Sequence, residues 1–327
     1  MEQGEAVSGY YQGKRISQTL LKVRIVRTEQ TMKLSFRPLL ALALLAMSVF
    51  GFAWDDTGHM VIASIGDGRL DPAAWKECDR LLKIGGTPTT SDFIQAGCWA
   101  DDTKTKENGP WHYIDLPYRP DGKTPTTKPD AENVVWAINH FSDILKDKTK
   151  PDAERADALR YLIHFIADVH QPLHAIQMES DAYPKGDRGG NLITIKANDL
   201  FPNMEKPPTN LHFLWDMGCG IFMPDAEKRP LDGASEGRLQ IQGIDLTTQF
   251  PPSSFVVNGV DLVKDLNPMD WAKESYQTAV NFAYKVRTGG MIDLLYITEG
   301  KTICGQRAAL AGYRMAALLN KLVGQGK

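Results

Sequence analysis

The sequence predicts a mainly α-helical fold that forms one domain from residue 54 onward. Five segments repeat apolar residues with the 3.6-residue period of a helix, whereas strand-like alternation is confined to two short stretches. No internal repeat and no Pro-, Gly- or Ser-rich linker divides the chain after residue 54. The composition, 43% hydrophobic and 24% charged, is typical of a globular protein and argues against disorder of the whole chain.

The chain begins with a segment that we expect to be removed. Lys33 and Arg37 precede an apolar run over 38–53 that ends in Gly-Phe-Ala, which is typical of a secretory signal peptide. A membrane anchor is the alternative, but a span needs about 20 apolar residues and this run is shorter. We therefore predict a secreted or periplasmic protein that is cleaved after Ala53. The predicted organisation is an upstream start assigned in error or a disordered extension (1–31), the signal peptide (32–53) and one exported domain (54–327).

The exported part is acidic. The whole chain has 37 Lys and Arg against 40 Asp and Glu, and residues 1–53 contain seven and three of these, which leaves 30 against 37 and a net charge of −7. An acidic protein that binds a polyanion needs a local source of positive charge, which bound metal ions can supply. The absence of a basic run argues against a simple nucleic-acid-binding module.

Four cysteines predict disulfides, because an even number in an exported chain is typical of them. Their spacing favours Cys78 with Cys98 and Cys219 with Cys304. Buried free thiols are the alternative. None of the four has the CxxC spacing of a thiolate zinc site.

The secondary structure is predicted in chain order from these patterns. The predicted helices are 58–70, 131–146, 152–170, 270–287 and 302–323. Alternation over 192–196, after a Gly-Gly turn, and over 254–257 predicts one small β-hairpin. The Pro-, Asp- and Asn-rich stretches are predicted to be surface loops, namely 116–130, 198–210 and most of 224–268.

Two His/Asp pairs with helical spacing indicate a metal site. His164 and Asp168, and likewise His212 and Asp216, are four residues apart, so both side chains of a pair can bind the same cation. His174 follows a proline that ends the first helix and can turn its imidazole toward the same cleft. One such pair is as readily a hydrogen-bonded core histidine, but two pairs in an exported chain point to zinc.

The remaining histidine of this helix is interpreted differently. His170 falls on the apolar side of the helical wheel, close in angle to Leu159. We therefore expect His170 to be buried and not to bind a metal. The tryptophans Trp99, Trp111 and Trp215 are assigned to packing.

Residues 54–216 contain six motifs in a fixed order, namely Trp54 with His59, Trp99-Ala-Asp101, Trp111-His-Tyr-Ile-Asp115, His164 to His174, Gly189-Gly-Asn191, and His212 to Asp216. In residue type and in order they resemble the motifs of the S1/P1 nuclease family. The resemblance implies a single-domain, multi-helix fold similar to that of phospholipase C and P1 nuclease, and a cluster of three zinc ions. The implied ligands are Asp101, His112, His164 and Asp168 for one ion, His174, His212 and Asp216 for the second, and bridging Asp168, His59 and the α-amino group and carbonyl oxygen of Trp54 for the third.

The ligand role of Trp54 has a chemical requirement. A free α-amino group exists there only after cleavage between Ala53 and Trp54, and this is where the signal-peptide pattern independently places the cut. Two separate arguments therefore lead to the same residue.

The resemblance also implies the activity. It predicts a secreted, zinc-dependent endonuclease that hydrolyses single-stranded DNA and RNA to 5′-phosphate products by attack of a zinc-activated water, with 3′-nucleotidase activity as a further possibility. The expected partners are single-stranded nucleic acid and nucleotides, and the protein is expected to be a monomer without stable membrane association.

Five residues receive catalytic or substrate-binding roles from the resemblance. Asp101 would orient or deprotonate the water, and Lys104 would stabilise the transition state. Tyr113 would stack a base and Asp115 would bind its edge, which demands an unpaired base. Asn191 would contact a phosphate oxygen. The alternatives are a solvated Lys104, a half-buried core Tyr113 and a turn-capping Asn191.

Two other functions fit part of this pattern. Zinc-dependent phospholipases C share the N-terminal tryptophan and the trinuclear cluster, and a non-catalytic exported zinc-binding protein would need only the ligands. Asp216, where the phospholipases have a glutamate, and the sequence from His170 to His174 favour the nuclease. Asp101 beside Lys104 favours an enzyme over a storage protein.

Overall fold

The computed structural model describes residues 54–224 and 226–324, and the predicted extension and signal peptide lie outside these residues. This part of the chain is mostly helical, which confirms the predicted mainly α fold. The helices are α1 (Asp56–Asp67), α2 (Pro72–Leu82), α3 (Phe93–Ala96), α4 (Trp99–Asp102), α5 (Val134–Lys146), α6 (Asp152–Asp168), α7 (Leu211–Asp216), α8 (Gly233–Gln249), α9 (Pro268–Thr278) and α10 (Leu294–Val323). Short 3-10 turns lie at Gly109–His112, Pro172–Ala175, Asn198–Leu200, Gly218–Gly220, Pro252–Phe255 and Leu262–Lys264, and a π-helical turn lies at Ala279–Ala283.

The strands are short and form three separate pairs. They are β1 (Pro117–Tyr118), β2 (Gln177–Met178), β3 (Ile195–Lys196), β4 (Val256–Val257), β5 (Val260–Asp261) and β6 (Gly290–Met291). β1 pairs with β2 and β3 with β6, both in parallel, while β4 and β5 form an antiparallel hairpin. The strand patterns predicted over 192–196 and 254–257 correspond to β3 and β4. The small hairpin is formed by β4 and β5, around an Asn258-Gly259 turn in which both residues have positive φ. β3 is not part of a hairpin, because it pairs with β6, almost 100 residues away.

One predicted loop is a helix. α8 occupies 233–249, within the stretch that we assigned to loops. Its apolar stripe is weak, since only Leu239, Gly243 and Leu246 are buried and Ile241 and Ile244 are exposed. Gly243 allows close packing on α1, because a Cβ there would lie 2.7 Å from Ser64 Oγ. α8 is therefore stabilised by tertiary contact rather than by a strong pattern of its own.

Helix α6 lies in the interior and packs against α1, α2, α4, α5 and α10. It begins after Pro151 with acidic residues in its first turn, which the helix dipole favours. It ends at Asp168, two residues before the predicted end, and a proline starts the next 3-10 turn. The polar end of this helix therefore lies in the middle of the protein.

Two arginines of α10 hold the chain directly after α6. Arg307 Nε donates to the carbonyl oxygen of His170 at 3.1 Å, and Arg314 donates to His170 Nε2 at 3.0 Å. Both arginines pair with Glu274 of α9 at 2.8 Å. His170 Nδ1 donates to the carbonyl of Ile166, and burial lowers the pKa of His170 well below its usual range. His170 is therefore a buried, neutral residue whose ring nitrogens both have partners.

The cysteines differ from the prediction. All four are free and buried, so neither the pair Cys78 and Cys98 nor the pair Cys219 and Cys304 is a disulfide in the structure. The thiol of Cys98 donates to the carbonyl of Asp56 instead. Burial raises the pKa of Cys78 to about 12, as expected for inert core thiols.

None of the helices in the described residues combines the length and the apolar character that crossing a membrane requires.

Candidate metal centre

The His/Asp motifs meet at one place in the interior, although they come from six separate elements. His59 lies on α1, Asp101 on α4, His164 and Asp168 at the end of α6, and His212 and Asp216 on α7. His112 and His174 lie on the 3-10 turns Gly109–His112 and Pro172–Ala175. These residues form three groups, and within each group the possible ligand atoms lie within 4.8 Å of one another. The groups are His59 with Asp101 and His164, His112 with His164 and Asp168, and His174 with His212 and Asp216.

Asp168 belongs to the second group and also lies next to His59 of the first. One carboxylate oxygen, Oδ2, lies 3.1 Å from His112 Nδ1 and 3.2 Å from His164 Nε2. The other oxygen, Oδ1, lies 3.4 Å from His59 Nε2. The rings of His59 and His164 are stacked with their centroids 3.9 Å apart. Asp101 approaches the same place from α4, with its Oδ1 3.5 Å from His112 Nδ1.

The third group is built around Asp216. Its Oδ2 lies 3.5 Å from His212 Nε2, and its Oδ1 lies 3.8 Å from His174 Nε2. The buried side chain of Gln171 donates to Asp216 Oδ1 at 2.6 Å and also caps the turn that carries His174. Burial raises the pKa of Asp216 to about 8, against the charge of His212. A buried carboxylate of this kind is stabilised by a nearby cation.

Backbone carbonyls fix the orientation of three of the imidazoles. His164 Nδ1 lies 2.6 Å from the carbonyl oxygen of Gly97, His174 Nδ1 2.9 Å from that of His112, and His212 Nδ1 2.7 Å from that of Gly189. Donation from Nδ1 places one proton there and directs Nε2 toward the centre, where it can bind a proton or a metal ion. This arrangement is typical of histidines that bind metals.

The centre contains buried polar atoms without hydrogen-bond partners. Within the described residues these include both ring nitrogens of His59, Nε2 of His112 and of His174, and Oδ1 of Asp168. Such atoms are costly in a protein interior unless something binds them. Burial lowers the pKa of His59 and His174, and that of His112 to about 4, so these rings are neutral at physiological pH, the form in which an imidazole can bind a metal ion.

Charge in the centre is concentrated on Asp168 and His164. Burial alone would make both neutral. The charge of His164 and hydrogen bonds from the histidines nevertheless hold the pKa of Asp168 well below its usual range, and the carboxylates of Asp168 and Asp101 raise the pKa of His164 to about 9. A buried, ionised carboxylate is stabilised by nearby positive charge. Together with the surrounding imidazole nitrogens it forms a set of ligand atoms that suits a cation such as zinc.

Trp54 lies beside the same ligands. Its side chain is fully buried, and its indole Nε1 donates to the carbonyl of Ala167 at 3.0 Å. The next residue, Asp55, donates its backbone N–H to the carbonyl of Asp216 at 3.1 Å. The first residues of the described chain are thus attached next to Asp168 on one side and at Asp216 on the other.

The centre opens into a cavity of about 720 Å³. His112, His174 and His212 line it, and so do the four residues with predicted substrate or catalytic roles outside the ligand set, namely Lys104, Tyr113, Asp115 and Asn191. Burial, Asp130 and Asp187 raise the pKa of Asp115 to about 7. Burial raises the pKa of Tyr113 to about 12.

For Lys104 and Asn191 the structure bears on the alternatives left open by the sequence, a solvated lysine and a turn-capping asparagine. Lys104 is not a solvated lysine, because its Nζ lies 3.3 Å from Asp101 Oδ1 and its side chain is 11% exposed. The side-chain amide of Asn191 donates to the carbonyl of Arg188 at 2.9 Å, which is the turn-capping role.

Three cations of this cavity, Lys106, Lys185 and Arg188, were not predicted from the sequence. Lys106 is distant in sequence from the other two, and the three form no basic run. The only signal was that Lys185 and Arg188 lie within four residues before Gly189 of the Gly189-Gly190 motif, which by itself indicates a turn and not a binding surface.

Comparison with known proteins agrees with these observations. A model of the S1/P1 Nuclease family matches residues 54–324. Endonuclease 2 of Arabidopsis thaliana is 29% identical over 286 residues, which cover 83% of this chain and 91% of the relative. Nuclease S1 of Aspergillus oryzae is 24% identical over 86% of this chain and 96% of its own length, and Nuclease P1 of Penicillium citrinum is 25% identical over 83% and 98%. The family match includes all residues of the three ligand groups.

Proposed function

Because the chain belongs to the S1/P1 nuclease family, and is therefore a hydrolase of phosphodiester bonds, we propose that it is a zinc-dependent endonuclease acting on single-stranded DNA and RNA. The observation that carries this proposal is the buried His/Asp centre with unpartnered ligand atoms at the end of a cavity lined by Tyr113. Products would carry a 5′-phosphate, and 3′-mononucleotides would be further substrates. The enzyme would act as a secreted or periplasmic monomer after cleavage behind Ala53.

The proposed centre holds three zinc ions. His174, His212 and Asp216 would hold one of them, as their separate grouping supports. Asp101, His112, His164 and Asp168 would hold the second. Asp168, His59 and the freed N-terminus of Trp54 would hold the third, which agrees with the position of Trp54 between Ala167 and Asp216. When bound, the ions would supply a hydroxide-like water near neutral pH and would neutralise charge on the phosphodiester.

Asp101 and Lys104 are the proposed catalytic residues. Although burial favours a neutral carboxyl, His164, His112 and Lys104 lower the pKa of Asp101, so its carboxylate is ionised and can accept a hydrogen bond from the attacking water. Lys104 lies 3.3 Å from this carboxylate and lines the cavity. Its ammonium group would therefore face the phosphate oxygens, where negative charge grows in the transition state.

Tyr113 and Asp115 would select unpaired bases. Tyr113 directly follows the ligand His112, so a base stacked on its ring would place the adjacent phosphate near the centre. Every base has a face that can stack, and a base within a duplex cannot reach the ring, which gives tolerance of sequence and preference for single strands. The carboxyl of Asp115 would bind the edge of the same base.

The proposal is tested with exported protein that begins at Trp54. Cleavage of single-stranded DNA is measured before chelation, after chelation and after zinc is restored, with the same DNA as a duplex for comparison. We expect activity that disappears and returns with zinc and that is much weaker on the duplex. The proposal is wrong if fully metallated protein leaves the single strand intact. Hydrolysis of phosphatidylcholine by that sample would then indicate phospholipase C activity instead.

A further inference from the structure

The cavity beside the metal centre is basic, although the protein is acidic. Residues 54–327 have a net charge of −7, from 30 basic and 37 acidic residues. The cavity is nevertheless lined by four cations, Lys104, Lys106, Lys185 and Arg188, and by one carboxylate, that of Asp115. Lys106, Lys185 and Arg188 are exposed and form no salt bridge with any residue that the structure describes. Positive charge is therefore concentrated where a substrate would enter.

Arg188 is held in an unfavourable backbone conformation at this surface. Its φ is +58°, in the left-handed region that side chains with a Cβ rarely adopt. The turn around it is rigid, because the buried carboxylate of Asp187 accepts hydrogen bonds from the backbone of Met178 and Gly190 and from the hydroxyl of Tyr284. A strained residue that its surroundings hold in place is often functional.

The same turn is attached directly to the third ligand group. The carbonyl of Gly189 accepts the hydrogen bond that orients His212. A Cβ at Gly189 would lie 2.4 Å from the carbonyl oxygen of Leu173, the residue before His174, so the turn packs closely on that segment as well. Arg188 is thus one residue away from the contacts that position His174 and His212.

Asn191 is bonded within the turn, whereas the side chain of Arg188 is exposed. Its backbone N–H and its side-chain amide both donate to the carbonyl of Arg188, at 3.2 and 2.9 Å. Asn191 thereby caps the turn, and the side chain of Arg188 remains exposed to solvent. Lys185, also exposed and also lining the cavity, adds a second charge on the same side.

We propose that Arg188, supported by Lys185, binds a backbone phosphate next to the scissile one and so makes the enzyme prefer polynucleotides over substrates with a single phosphate. This inference rests on the proposed function. Lys104 serves the scissile phosphate from its place beside Asp101, whereas Arg188 lies at the exposed rim and meets the strand outside the centre. An arginine suits this role because its guanidinium binds phosphate through two parallel hydrogen bonds.

Arg188→Gly separates this role from a structural one. Glycine adopts a φ of +58° without strain, so we expect the melting temperature of the variant to be unchanged or higher. Binding of a fluorescent, non-hydrolysable single-stranded oligonucleotide to the zinc-loaded protein should weaken about tenfold, as expected for loss of one charge-assisted contact. The slope of log affinity against log salt concentration should fall by about 0.7, which corresponds to one phosphate of a single strand.

Kinetics with the zinc enzyme complete the test. For Arg188→Gly we expect kcat/KM to fall about tenfold on the oligonucleotide and to stay unchanged on a dinucleoside monophosphate, which has only the scissile phosphate. Arg188→Lys should keep the salt dependence, and Lys321→Gln, an exposed cation on α10 that does not line the cavity, should change nothing.

The possible failures are distinguishable. If the unmodified enzyme cleaves the oligonucleotide but Arg188→Gly affects both substrates equally, affects neither, or unfolds at a lower temperature, Arg188 has no phosphate-binding role. If the unmodified protein neither binds nor cleaves the oligonucleotide, the proposed function fails, and this inference fails with it.

Discussion

Replacing Asp168 by asparagine tests the metal centre most directly. The carboxylate is fully buried and lies within 3.1 to 3.4 Å of ring nitrogens of His112, His164 and His59. In the proposed centre it is a ligand of two ions, while the group around Asp216 does not include it. Asparagine preserves the volume but removes the charge that binds cations. The zinc content should therefore fall from about three ions per chain to about one.

The assay is elemental analysis of purified protein after dialysis against buffered zinc, with the melting temperature measured on the same samples. Asp157→Asn is a matched control, because Asp157 lies on the same helix, is exposed and, among the residues described, pairs with Arg160 alone, at 2.9 Å. That variant should retain about three ions. Asp216→Asn, in the other group, should retain about two.

A folded Asp168→Asn protein that still binds as much zinc as the unmodified chain would refute this reasoning. So would a loss of the same size in Asp157→Asn, because the effect would then not come from the centre. The melting temperatures show whether the variant is folded, and so exclude the explanation that it loses zinc because it is unfolded.

Three further substitutions have defined outcomes. Tyr113→Ala should raise KM for single-stranded substrates about tenfold in steady-state assays, since one stacked base contributes about 1–3 kcal/mol, whereas Tyr113→Phe should behave like the unmodified enzyme. Burial raises the pKa of Asp67 to about 6, so the fold binds this proton more tightly than the unfolded chain does and loses stability as the pH rises from about 4 to 6. In urea titrations Asp67→Asn should therefore be more stable at pH 7 by about 1 kcal/mol, a value reduced for partial exposure, and should show no gain at about pH 3, where both forms are neutral. Arg314→Met removes a buried partner of Glu274 and should cost about 3–5 kcal/mol, or roughly 10 °C in calorimetry. Arg238→Met is the control, because the side chain of Arg238 is exposed where it pairs with Glu227, and the substitution should cost less than about 1 kcal/mol.

The helices that the sequence predicted correctly are those with a broad apolar stripe. The pattern over 131–146 corresponds to α5, and that over 152–170 to α6. α8 was missed because its few buried residues meet α1, a partner that no local pattern reveals. β3 was assigned to a hairpin for the same reason, since its partner β6 is distant in sequence.

The candidate site shows the same division between local and long-range information. The spacing of His164 and Asp168 on one helix is local, and the structure places both at the centre. Which of the candidate residues lie together depends on contacts between distant parts of the chain. The structure groups Asp101 with His59 and His164, and no sequence pattern indicates that the rings of His59 and His164 stack. The role of Arg188 depends on the φ of a single turn and on a cavity whose other wall comes from residues 104–115.

The packing of α1 against α10 has a consequence for the order of events when the protein is made. α1 carries His59 and is the first helix of the described chain to be synthesised, whereas α10 is the last. α1 packs on α10, and Arg307 and Arg314 of α10 also hold the segment that follows Asp168. Contacts this distant in sequence form only when both partners are present. A nascent chain that lacks α10 therefore lacks the surface against which α1 and the segment after Asp168 pack, so the proposed centre assembles only after α10 has been made.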